Sequence, residues 1–175
     1  IYKSNPTIAQ RAGVEAWEIA RELNYIEGQK CITHNLTNAY KHSSKFDSAL
    51  IFTREYLRLA DLTNDSAAYA KGYLQMSKVL SRVCGIDTAV DYALKANEIF
   101  KKLNHERGQI SSANMLGTLY KAYAMYNVAA KYYHEVLKNS ENINYDNGVA
   151  AALINIGDLY MRMGEDSLAR DYLVR

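Results

Sequence analysis

The side chains best suited to chemistry in this chain are four histidines, two cysteines and a spread of lysines, arginines and amides. None of His34, His42, His105 and His134 stands in an HExxH pattern, and His105-Glu106 falls in a turn between helical stretches. His34 and His42 lie two helical turns apart, too far for a simple chelating pair. Cys31 and Cys84 form no CxxC and sit in no His/Cys cluster, so no metal is expected. There is no GxxxxGK, no GxGxxG and no nucleophile elbow. No catalytic residue and no cofactor follow from any of this, and the segment is expected to be non-enzymatic.

What remains is polar and basic, at helical spacing: His34, Asn35, Asn38 and Lys41; Lys71, Gln75, Lys78 and Arg82; Asn114 and Lys121; Asn155, Asp158 and Arg162. Cations on one face attract an opposite charge, and amides hydrogen-bond the backbone of an extended peptide. The expected partner is therefore a protein or peptide, of acidic character. The whole chain carries a net charge of only +2, which does not point to nucleic acid. No run of 18 apolar residues exists, so no insertion into a membrane is expected.

The elements that must position these residues repeat every 40 residues. Ala9, Ala49, Ala89, Ala129 and Ala169 form one column; Asn24, Asn64, Asn104 and Asn144 form a second. Gly28, Ala68, Gly108 and Gly148 form a third, and Tyr40, Leu80, Tyr120 and Tyr160 a fourth. Thr37, Ser77, Gly117 and Gly157 keep a fifth small, beside apolar Leu36, Met76, Leu116 and Ile156. Small side chains let helix backbones approach closely. Leu116 and Tyr120, or Ile156 and Tyr160, are four apart and share a face. Asparagine tolerates left-handed backbone, so its column suits the ends of helices.

Composition agrees with a packed helical chain: 49% apolar, 23% charged and a single proline. The 15 tyrosines against 3 phenylalanines and one tryptophan imply ring packing between helices with hydroxyls at the surface. Helices are expected over about 7–24, 28–42, 46–62, 67–83, 87–103, 109–123, 127–138, 148–163 and from 166 onward. Turns of about three residues force neighbours antiparallel. The expected fold is all-α: a right-handed superhelical solenoid of antiparallel helix hairpins, about nine helices in all, with a concave side. Its division is a partial repeat at 1–27, repeats at about 28–67, 68–107 and 108–147, and a truncated one at 148–175.

The columns resemble the tetratricopeptide (TPR) repeat, whose apolar, Leu-Gly, Tyr, Gly, Ala and aromatic positions are met by Leu153, Ile156-Gly157, Tyr160, Gly164 and Ala169. They are met again by Leu116-Gly117, Tyr120, Ala129 and Tyr133. The period departs from the family's usual 34 residues, and the usual proline after the second helix is missing. This long-period form resembles the TPR sensor regions of bacterial signalling proteins and transcription regulators, of Bacteroidetes type. The resemblance implies a non-catalytic peptide-binding scaffold acting as the sensor of a larger regulatory protein. The other reading is a constitutive adaptor, or co-chaperone-like scaffold, with no output. His34 stands one turn before Asn38, where the chaperone-binding members carry Lys or Arg for their carboxylate clamp. The resemblance favours a periplasmic or extracytoplasmic sensor region over a cytoplasmic one. The opening IYKSNPT and the closing DYLVR, inside a helical pattern, read as an excised piece. Its end helices could associate end to end with another copy.

Overall fold

The computed structural model describes residues 6–83 and 85–175. Those residues form nine helices and no strand: α1 Pro6–Glu22, α2 Ile26–His42, α3 Phe46–Leu62, α4 Ser66–Leu80, α5 Ile86–Lys102, α6 Glu106–Ala122, α7 Tyr126–Asn142, α8 Asp146–Met163 and α9 Asp166–Val174. Each helix packs on the next in an antiparallel hairpin, and the hairpins stack into a right-handed solenoid. The first residue of every helix lies 20 after that of the helix before it. The 40-residue period thus contains a half-period, because both helices of a hairpin have matched lengths and matched turns.

The turn that sets this spacing is one structure used repeatedly. Asn24, Asn64, Asn104 and Asn144 all adopt left-handed backbone, with φ of 50, 49, 49 and 51°. The next residue then donates its N–H to the carbonyl five residues back: Tyr25 to Ala20 at 2.9 Å, Asp65 to Ala60 at 3.0 Å, His105 to Phe100 at 2.9 Å and Tyr145 to Ser140 at 2.8 Å. These bonds satisfy the carbonyls a helix end leaves open. The same turn closes the first helix of a hairpin at Ser44 and Ala124, with φ of 58 and 57°, and at Gly164. The loop after α4 differs, for there the left-handed residue is Gly85, at φ 88°. Helix starts are secured locally in two places. Asp65 accepts the Ala68 N–H at 2.9 Å, and the His105 ring accepts the Gly108 N–H at 2.9 Å. Helix α7 runs to Asn142 rather than stopping near Lys138. The polar stretch from Lys138 hides its end in the sequence, but Ser140 is fully buried and the helix must continue to bury it.

Within each hairpin the small column meets a column 16 residues later. Thr37 faces Thr53, with hydroxyls 3.3 Å apart, and Ser77 donates to the Ala89 carbonyl at 2.7 Å near Ala93. A Cβ on Gly117 would sit 2.6 Å from the Tyr133 ring, and one on Gly157 would sit 2.5 Å from Leu173. Glycine therefore stands where the partner is bulky, and a hydroxyl where the partner is small. Ala49, Ala89, Ala129 and Ala169 are all buried at these contacts. Ala9 is exposed, since no described helix covers that side of α1. The tyrosine column stacks on a ring twelve residues later: Tyr40 on Phe52 at 5.5 Å, Tyr120 on Tyr132 at 5.6 Å and Tyr160 on Tyr172 at 5.6 Å.

The stack curves because its two sides are spaced differently. Helix α4 packs on α6, and α6 on α8. The odd-numbered helices meet across hairpins through long side chains, such as Trp17 against Phe52 and Lys101 with Glu135 at 3.7 Å. The even-numbered helices accordingly line the concave wall.

Gly117→Ala should destabilise the chain by about 1–3 kcal/mol, because the buried Tyr133 ring has no space to retreat into. Gly117→Ser and Tyr133→Ala, which together copy the Ser77 and Ala93 pair, should cost less in combination than the sum of the two single variants, since the smaller ring site removes the clash; strictly additive melting shifts would disprove the packing rule. Ala124→Gly should stabilise by about 1 kcal/mol by relieving left-handed backbone. Asp65 is held below the usual carboxylate range, first by the Ala68 N–H and then by Lys30. Its folded value is depressed, so its contribution is complete above the ordinary carboxylate value near pH 4 and fades as pH falls through the folded value. Asp65→Asn should keep the cap and flatten acid unfolding in that range, while Asp65→Ala should cost about 1 kcal/mol at neutral pH in a denaturant titration.

Candidate functional site

Helices α2, α4, α6 and α8 place the sequence-derived candidates on one wall. His34, Asn35, Asn38 and Lys41 lie on α2; Lys71, Gln75 and Lys78 on α4; Asn114 and Lys121 on α6; Asn155, Asp158 and Arg162 on α8. Arg82 lies in the turn beyond α4, which stops at Leu80 rather than reaching Val83.

Several of these side chains bond to one another across successive rungs. Gln75 Nε2 lies 3.3 Å from His34 Nδ1 and donates to Asn38 Oδ1 at 3.2 Å. Asn155 Nδ2 donates to Asn114 Oδ1 at 2.9 Å. Lys121 donates to Asp158 at 2.7 Å, and Arg162 joins the same carboxylate at 3.2 Å. Lys121 first, and Arg162 after it, hold Asp158 below the usual carboxylate range. The amides thus spend part of their bonding capacity tying one hairpin to the next. Between α4 and α6 the rung is apolar instead, with buried Leu74 and half-buried Met115 packed in one cluster.

The charge on the wall is unevenly distributed. At the α6 and α8 end, Asp158 answers both cations. At the α2 and α4 end, Lys71, Lys78 and Arg82 have no carboxylate within 4.0 Å among the described residues. Burial and then the Lys41 ammonium push the Lys78 amine below its ordinary value. Burial and Arg82 do the same to Lys41. Burial, Lys78, Lys71 and Lys41 together keep the His34 ring less basic than usual. Burial is the larger cause of all three, and neighbouring cations add to it.

Two cavities open here. The larger, about 610 Å³, lies among the carboxyl ends of α2, α4 and α6; it is lined by Lys41, His42, Ser44, Phe46, Lys78, Ser81, Arg82, Ile86, Met115, Thr118, Leu119 and Ala122. Helix α4 beside it has 15 residues where α2 and α6 have 17, about half a turn less. Half-buried Phe46 and Ile86, which sequence reasoning had not placed at a site, line the cavity. The one trace of it in the sequence is Gly85, a place later than the left-handed position of the other turns. The smaller cavity, about 400 Å³, lies at the other end of the same rung, beside Cys31, His34 and Lys71. There Lys30 is buried and bonded to Glu27 at 2.7 Å and Asp65 at 3.0 Å. Burial opposes its charge, but these two carboxylates outweigh burial and hold its amine above the ordinary value. Lys30 is therefore spoken for, and Lys71 is not.

The described residues contain no group of three or more His, Cys, Asp and Glu placed to hold a metal ion, and Cys84 lies outside them. No described helix is long and apolar enough to cross a membrane.

Comparison with known proteins bears on the fold. No family model matches the chain, and no curated protein matches it by sequence. Solved structures do match. The chain superposes on BtubC (BKLC) from P. vanneervenii with a TM-score of 0.83 at 18% identity, covering 98% of this chain and 73% of that one. It superposes on a signal transduction ATPase with numerous domains, carrying a tetratricopeptide repeat sensor, from Pyrococcus horikoshii; the TM-score is 0.78 at 18% identity, over 99% of this chain and 28% of that one. Nearly identical TPR-like repeats from Podosopora anserina give 0.65 at 12% identity, over 98% and 94%. The architecture built above from columns and turns is that of a TPR-like helical-repeat solenoid.

Proposed function

We propose that this chain is a protein-interaction scaffold that holds an acidic peptide segment along its concave wall, over α2 and α4, and serves as the sensor part of a larger signalling protein. The observation that carries the peptide reading is the concentration of unanswered cations at that end: Lys41, Lys71, Lys78 and Arg82, beside the amides of Asn35 and Asn38. A concave wall of one sign focuses its field outward and draws in an opposite charge. The amides supply donors and acceptors for an extended backbone, and the cations supply sign selection. The sensor reading draws support from the Pyrococcus horikoshii protein, whose TPR region bears that description. A constitutive adaptor would use the same wall without passing on a change of curvature. Hydrogen bonds from Gln75 to α2 couple the peptide-facing side chains to the angle between rungs, which favours the sensor.

A fluorescein-labelled oligoglutamate peptide, followed by anisotropy, tests the reading. The native chain should bind it in a salt-dependent manner. Lys71→Glu with Arg82→Glu should weaken binding by about tenfold or more. Arg162→Gln should change little, because Arg162 is already paired with Asp158. No binding by the native chain, or equal binding by the double variant, would refute it.

A further inference from the structure

The cavity at the carboxyl ends of α2, α4 and α6 has an unusual inventory. Lys41, Lys78 and Arg82 line it, and no aspartate or glutamate does. Lys41 spends one donor on Asn38 at 3.1 Å. Lys78 is half-buried, and no hydrogen-bond acceptor for its ammonium is found among the described residues. An ammonium taken out of water without a partner costs stability. Part of its wall is apolar, contributed by Phe46, Met115 and Leu119. At about 610 Å³ the space is far larger than one small ion needs and falls in the range of sites for small organic ligands.

The charge count narrows the ligand. Three side chains bring three positive charges. The carboxyl ends of α2, α4 and α6 each set a partial negative charge of roughly one half at the same place, and the amino ends of α3 and α5, at Phe46 and Ile86, each return a partial positive one of about the same size. The balance is roughly +2.5, a field that the −1.5 to −2 of a phosphate monoester near neutral pH answers more fully than one negative charge would. A single carboxylate would leave part of the field unanswered. A tetrahedral group also offers three acceptor oxygens, and an arginine fork binds phosphate in two-point fashion. The apolar wall has no use for inorganic phosphate and suits an apolar stem.

We propose that this cavity is a binding site for an organic phosphate monoester, its phosphate held by Lys41, Lys78 and Arg82 and its apolar stem laid against Phe46, Met115 and Leu119. The inference narrows the anion-binding reading of the wall to one cavity and one ligand class, and rests on that reading for the sign of the charge. The phosphate could be borne by a free small molecule or by a phosphotyrosine side chain; the chemistry is shared.

Calorimetric titration of the chain with phenyl phosphate, benzoate and inorganic phosphate tests it. Phenyl phosphate should bind at one site, about tenfold or more tighter than either of the others. Lys78→Met and, separately, Arg82→Gln should each weaken it by about tenfold or more. Lys78→Met should melt no lower than the native chain, since it removes an unpaired charge from a half-buried place. Equal binding of benzoate, or of inorganic phosphate, or undiminished binding by both variants, would overturn the proposal. A short phosphotyrosine peptide that binds tighter than phenyl phosphate would support the site and assign its ligand to a protein; equal binding would support it and assign a free ester. Oligoglutamate titrated in parallel separates the two readings. If it binds and phenyl phosphate does not, this inference alone fails. If phenyl phosphate binds and oligoglutamate does not, the peptide reading alone fails.

Discussion

The structure depends on a fit of small against large between the two helices of each hairpin. A glycine or hydroxyl on the first helix meets whatever stands 16 residues later on the second. Where Tyr133 and Leu173 are large, Gly117 and Gly157 leave them room. Where Thr53 and Ala93 are smaller, Thr37 and Ser77 fill the space and bond within it. In every hairpin at least one partner of the pair is small, so the two helices can approach closely throughout, and close approach in each hairpin lets them stack in a regular curve. The aromatic stacks twelve residues apart, such as Tyr120 on Tyr132, set the outer boundary of the same contact. Tyr40, Tyr120, Tyr132, Tyr160 and Tyr172 are thereby explained as packing.

The proposed function rests on the place where that regularity stops. Helix α4 ends two residues before its counterparts, and the turn after it is built on Gly85. The shortening removes about half a turn of wall next to the cavity that Lys41, Lys78 and Arg82 line. At the other end of the wall the cations are answered by Asp158, and the rung bonds are complete. The two ends of the wall therefore differ in charge: the cations of α6 and α8 pair with Asp158, while Lys71, Lys78 and Arg82 have no carboxylate partner among the described residues. An unanswered charge in a half-buried place lowers stability, and binding sites are where that cost is commonly found.

The rung bonds add a mechanical element. Gln75 is buried and reaches both His34 and Asn38 on the preceding hairpin. A ligand that pulled on Lys41 or Lys78 would act on the same turns of α2 and α4. Changes in the angle between rungs are shared along a solenoid, since each repeat touches only its neighbours. That is a physical route by which occupancy at one rung could alter the curvature of the whole.

Much of this was legible in the residues. The alanine, asparagine and tyrosine columns state the period outright, and period plus helical spacing dictates helices, hairpins and the face that the polar residues share. The asparagine column even names its conformation, because few other residues accept left-handed backbone at low cost. What the columns could not state is which polar side chains would be consumed by one another. Asn114 and Asn155, or Lys121 and Asp158, are 41 and 37 residues apart, offsets that straddle the period, and only the superhelical shift between rungs brings them within bonding distance. Nor could they state that α4 ends early, since Arg82 fits a helix as well as it fits a turn. A repeating sequence determines the repeating part of a fold through local backbone preference and side-chain size. The departures, and the charges they leave exposed, are decided by how neighbouring rungs settle against each other, which is a property of the folded stack alone.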